Sequence, residues 1–128
     1  MDNDETGSVS ALVVGLLMSF IACAGLAVDG GRMISAKVRV SDQAENAART
    51  GAQALTHLRL GVPAIDRLKA AALAKEYLGA LGNSGNVETT RVDVCVTVRE
   101  SVDMTLLALI GVRARQITTR RCAQPVME

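Results

Sequence analysis

TGSVSALVVGLLMSFIACAGLAV, running from Thr6 to Val28, is the stretch on which the rest of the chain depends. Its twenty-three residues carry no charge, with Glu5 closing it on one side and Asp29 on the other. A helix crossing about 30 Å of hydrocarbon needs about 20 mainly apolar residues, because each adds about 1.5 Å. Ten of the twenty-three are Leu, Ile, Val or Phe, each favouring insertion by roughly 0.3–0.6 kcal/mol. Three serines and three glycines return part of that gain. The stretch reads as a transmembrane helix. A cleaved secretory signal is the competing reading, and Ala22-Cys23-Ala24 has the look of a small-x-small cleavage site. A signal wants a basic leader and an apolar core of about 7–15 residues. Here the leader is Met1-Asp2-Asn3-Asp4-Glu5 and the apolar run is longer, so a retained anchor is expected.

Within the span, Ala11, Gly15, Ser19, Cys23 and Ala27 recur every four residues. Small side chains at that spacing let helix backbones approach closely in lipid, where no hydrophobic drive brings helices together. The stripe is expected to be a lateral packing surface, with Cys23 a small packing residue in it. Past the span, Asp29-Gly30-Gly31-Arg32 marks the membrane boundary. The two glycines are candidates for a hinge, each costing a helix about 1 kcal/mol relative to Ala. Asp29 and Arg32, three residues apart, read as two solvated interfacial charges.

The remaining chain is short and poor in aromatics. Net charge is +1 and aromatics make up 2% of residues, Tyr77 being the one outside the span. That balance gives no field for nucleic acid or an acidic substrate. A core without aromatics must be built from Leu, Val, Ile and Ala, and its stability must lean on the anchor, on partner copies or on a cross-link. Ala36, Val40, Ala44, Ala47, Gly51, Leu55 and Leu58 recur at spacings of three and four, predicting an amphipathic helix over 33–60. If helicity passes through the glycines, one rod runs from 8 to 60. Gly61-Val62-Pro63 breaks it, and a second, antiparallel helix is expected over 63–81, with Ile65, Leu68, Ala72, Lys75, Leu78 and Leu81 sharing a face. After a loop at 81–86 the period changes to two. Val92, Val94, Val96 and Val98 alternate with polar residues, predicting a strand over 87–100. SVDMTLLALIGV, 101–112, fits a helix or turn that packs on the sheet or touches the membrane, with Gly111 to end it. A closing strand is expected over 114–123. The fold class is therefore α+β: an anchor over 1–31 and a head over 32–128, whose long and short helices pack with a small antiparallel sheet.

An antiparallel register with Cys95 opposite Cys122 keeps the alternation on both strands. Val94 then faces Ala123, Thr97 faces Arg120, Val98 faces Thr119 and Arg99 faces Thr118. The valine side is buried, the cysteine side is polar, and a Cys95–Cys122 disulfide follows. Such a bond belongs to an oxidising compartment outside the cytoplasm.

No catalytic constellation is legible. There is no GxSxG, HExxH, CxxC or phosphate-binding glycine loop, and His57, the one histidine, reads as solvated rather than as a ligand or base. Arg113, Arg115, Arg120 and Arg121 lack interleaved aromatics and read as a solvated sheet edge, not a nucleic-acid site. No enzyme activity, cofactor, metal or small-molecule substrate is expected.

Gly7 to Leu55 resembles the N-terminal segment of TadE/TadG-like proteins of the Flp (Tad) pilus system. A Gly-Ser precedes an apolar span, Gly-Leu-Ala-Val-Asp-Gly-Gly-Arg (Gly25 to Arg32) follows, and an Ala-rich helix ends in Ala-Arg-Thr-Gly-Ala-Gln-Ala-Leu. The later residues resemble compact actinobacterial forms more weakly. The resemblance implies a membrane-anchored minor pilin or assembly component with its pilin-like head outside the membrane, contacting lipid, other pilus subunits and copies of itself. Processing in such relatives cuts after a Gly, which makes Gly7 the candidate processing site, although Leu12 stands where relatives favour Glu. Charge placement alone favours the opposite topology, because Arg32, Lys37 and Arg39 follow the span. Acidic leaders count little in that rule and long flanks translocate regardless, so the expected arrangement is single-pass with the head extracytoplasmic. The alternative is a bitopic cell-envelope binding module.

Overall fold

The computed structural model describes residues 4–56 and 63–126. His57, Leu58 and the Gly61-Val62 part of the expected break lie outside those residues. One helix, α1, runs without interruption over Asp4–Ala52, a rod of 49 residues and about 73 Å. It passes straight through Gly30 and Gly31, so the expected rod forms, although it ends at Ala52 rather than at residue 60. The end is set by pairing. Leu55–Thr56 (β1) and Ala64–Ile65 (β2) form a short antiparallel ladder, Leu55 opposite Ile65 and Thr56 opposite Ala64. A β-branched Thr56 favours that extended conformation over another helical turn.

Helix α2 spans Arg67–Ala80, and Asp66 caps its start by accepting the Lys69 N–H at 3.2 Å. The helix thus begins later than the Pro63 start suggested by the sequence, and Ile65 belongs to β2. The α2 face also differs from the one expected. Ala70, Ala74 and Leu78 are buried, while Leu68 is 87% exposed and Ala72, Lys75 and Leu81 point to solvent. Close approach decides this. A Cβ on Gly51 of α1 would stand 2.9 Å from the Ala70 carbonyl oxygen and 3.4 Å from the Ala74 Cβ, so only the alanine face of α2 can reach α1. Gly51 lies beside Ala70 and Ala74, while Gln43 accepts from Asn83 at 2.5 Å; the two helices run antiparallel.

Three strands complete the head: β3 (Gly85–Thr89), β4 (Val94–Asp103) and β5 (Ala114–Ala123), in the order β3-β4-β5 with both pairs antiparallel. The single strand expected over 87–100 is two strands. Thr90 Oγ1 accepts from Val92 N at 3.2 Å and from Asp93 N at 3.0 Å, and Thr90 N donates to the Asp93 carbonyl at 2.9 Å. That turn throws Val92 out of the valine row, leaving it exposed. The β4–β5 register is the one expected with Cys95 opposite Cys122: Val94 faces Ala123, Thr97 faces Arg120, Val98 faces Thr119 and Arg99 faces Thr118.

The core lies between α1, α2 and β4. Val40, Ala44, Ala47, Ala48 and Ala52 of α1 meet Ala70, Ala74 and Leu78 of α2 and Val94, Val96 and Val98 of β4. Alanine and glycine contribute little apolar area each, but they let the backbones close up, so packing contacts replace side-chain bulk. The opposite face of the sheet is polar, with Arg120 bonded to Glu88 at 2.7 Å.

Candidate functional site

The N-terminal half of α1 stands clear of the head. It is the one helix among the described residues long and apolar enough to cross a membrane, and 6% of its most apolar window is buried inside the protein. A core helix of a soluble fold would be mostly buried. Leu12, Leu16, Leu17, Phe20, Ile21 and Leu26 project outward around the rod, the pattern of a helix solvated by lipid. Ala11, Gly15, Ser19, Cys23 and Ala27 are all exposed on it. A four-residue step turns a helix by 400°, so the stripe drifts by about 40° per step. Ser19 Oγ donates back to the Gly15 carbonyl at 2.9 Å, which satisfies its hydroxyl without water. Gly15 has open space where a Cβ would stand, so its small size serves nothing within the chain.

Asp29 behaves unlike a solvated charge, while Arg32 stays exposed. Asp29 is fully buried. Its Oδ1 accepts the Thr105 N–H at 2.9 Å, and its Oδ2 accepts the Leu106 and Leu107 N–H groups at 2.9 and 2.7 Å. Arg32 donates to Thr105 Oγ1. These donors open a 3₁₀ turn over Leu107–Ile110, which Gly111 ends at φ 96°. The Leu107 and Thr105 N–H groups, the Leu106 N–H and the Arg32 charge together hold the Asp29 carboxyl below the usual carboxylate range, against the opposing effect of burial. Four residues back, Gly25 seats the same loop: a Cβ there would stand 3.2 Å from Leu106 Cβ. Gly25 and Asp29 share a helix face because they are four apart, and that spacing, next to the apolar Leu106–Ile110 segment, was the signal available in the sequence. The two residues are far apart in sequence from the turn they hold, so the contact itself was not.

Further up α1, Arg39 pairs with Glu100 of β4, and Arg121 of β5 donates to Ser41 Oγ at 2.8 Å. Polar contacts thus fasten the rod to the β4–β5 loop at residues 29 and 32 and to the sheet at residues 39 and 41, beside the alanine-rich face that begins at Ala36. Arg120 and Arg121 are therefore engaged, while Arg113 and Arg115 point to solvent. Cys95 and Cys122 are joined in a disulfide with Cα atoms 4.0 Å apart, and Cys23 is free on the exposed rod. A Cβ placed on Gly7 would meet nothing within 4 Å. Among the described residues no group of three His, Cys, Asp or Glu could hold a metal ion.

Residues 7–54 match a family model described as putative Flp pilus-assembly TadE/G-like. The match covers the exposed apolar half of α1, the Asp29–Arg32 segment and the alanine face, and stops where α1 gives way to β1. No curated protein and no solved structure matches the chain.

Proposed function

Taking residues 7–54 as a TadE/G-like Flp pilus-assembly segment, we propose that the protein is a membrane-anchored structural component, of minor-pilin or assembly type, in a Tad/Flp pilus or related secretion system. The observation that carries this reading is the unbroken α1, whose first half faces outward with apolar side chains and whose second half buries one alanine-rich face against the head. A rigid rod of this kind transmits the position of the head to the membrane and exposes one flank for lateral association. The lateral flank is the stripe Ala11, Gly15, Ser19, Cys23 and Ala27, where close backbone approach supplies van der Waals contact in lipid. The head lies outside the cytoplasm, as the Cys95–Cys122 bond favours, and meets other pilus subunits or copies of itself. Gly7 is the residue after which a processing peptidase would cut. No reaction is catalysed.

Gly15→Leu and Ser19→Leu test the lateral flank in the host cell. Both variants are expected to insert in the membrane at normal levels and to abolish pilus assembly. Normal pili in both would contradict the assignment of the stripe.

A further inference from the structure

The segment from Leu106 to Val112 carries no polar side chain, yet it is not part of the core. Leu109 is 82% exposed and Ile110 76%. With Leu106 and Leu107 they form one apolar surface continuous with Met18, Ile21, Ala22, Gly25 and Leu26 of α1. Leu106 lies against Gly25, four residues and about 6 Å below Asp29 along the helix axis. Interfacial apolar elements sit about 5–10 Å into the headgroup and acyl boundary. The 3₁₀ turn therefore occupies the same level as the end of the span.

Irregular backbone at that level is tolerated only when its polar groups are satisfied by protein. Here they are largely closed. Asp29 takes the N–H groups of Thr105, Leu106 and Leu107. Met104 N donates to Arg113 O, Leu109 N to Leu106 O, Gly111 N to Ala108 O and Val112 N to Leu107 O. Arg113 follows at once and is exposed, in place to reach headgroups.

From these observations we infer that the Leu107–Ile110 turn is a second membrane-contact element, dipping into the leaflet next to the span and fixing how the head stands on the bilayer. The occupant of its apolar surface is lipid. Buried Asp29 is the residue that makes the dip possible, because it removes three amide protons from competition for water. The placement rests on reading Thr6–Val28 as an anchor.

The chain contains no tryptophan, so single Trp substitutions report depth directly. Full-length Leu109→Trp, Ile110→Trp, Phe20→Trp and Val92→Trp are reconstituted in phosphatidylcholine–phosphatidylglycerol vesicles with and without chain-brominated lipid. Phe20 marks the span, and Val92 is exposed at the Thr90–Asp93 turn, the opposite end of β4 from the 3₁₀ turn. Leu109→Trp and Ile110→Trp are expected to emit at short wavelength. They should lose about half or more of their emission to lipid brominated at shallow chain positions, as a depth of about 5–10 Å requires. Val92→Trp should be untouched. Quenching of Phe20→Trp with none at 109 or 110 overturns the dip and leaves the anchor standing. No quenching at Phe20 overturns the anchor and the dip together. Short-wavelength emission at 109 that ignores bromolipid but follows protein density places a second copy there instead, and also overturns the proposal.

Discussion

Asp29 Oδ2 accepts the Leu107 backbone N–H at 2.7 Å, across 78 residues of sequence. One carboxylate thereby ties α1, just past its apolar stretch, to the loop joining β4 and β5. The bond is charge-assisted, and such bonds are shorter and about twice as strong as neutral ones.

That tie has a pH signature. The folded pKa of Asp29 is lowered, so its contribution is fully present above the unfolded carboxylate value of about 3.9 and is lost as pH falls through the lower folded value. Thermal unfolding in detergent micelles is expected to show Asp29→Asn less stable than the parent at pH 6, with the difference closing as the pH drops below about 4. A difference that stays constant down to the acid limit would remove Asp29 from the tie.

Glycines in α1 divide by what faces them. Gly51 has the Ala70 carbonyl at 2.9 Å and Val94 Cγ1 at 3.1 Å from a would-be Cβ, and Gly15 has open space. Gly51→Ala should cost roughly 1–3 kcal/mol, the range for overpacking a close contact. Gly15→Ala should leave head stability unchanged, and chemical denaturation of both variants reads the contrast.

The cross-strand disulfide closes a loop of 27 residues, which in the chain-entropy account stabilises by about 3.5 kcal/mol. Cys95→Ser/Cys122→Ser should lower the unfolding free energy by up to that amount. In the unreduced protein, mass spectrometry after alkylation under denaturing conditions should find one modified thiol, Cys23, and three after reduction.

The parts legible in the sequence are those whose period is strict and whose partners are near. Twenty-three uncharged residues mark a helix long and apolar enough to cross a membrane, and the alternation through Val94, Val96 and Val98 fixes which face is buried, while placing Cys95 opposite Cys122 chooses the register against β5. Tertiary choices hid the rest. Leu55–Thr56 left the helix because Ala64–Ile65 offered a ladder. Leu68 lost the interior to alanine because Gly51 demanded a close partner. Val92 left the valine row because Thr90 and Asp93 close a turn on it. Asp29 looked like a boundary charge because its three donors lie at the far end of the chain.

The proposed arrangement, an anchor at Thr6–Val28 bearing an oxidised head outside the cytoplasm, can be read by labelling thiols in intact cells with a membrane-impermeant maleimide. Cys95 and Cys122 are expected to react only after an impermeant reductant is added, without breaking the cell. Labelling of both residues without any reductant, or only once the membrane is permeabilised, would contradict it.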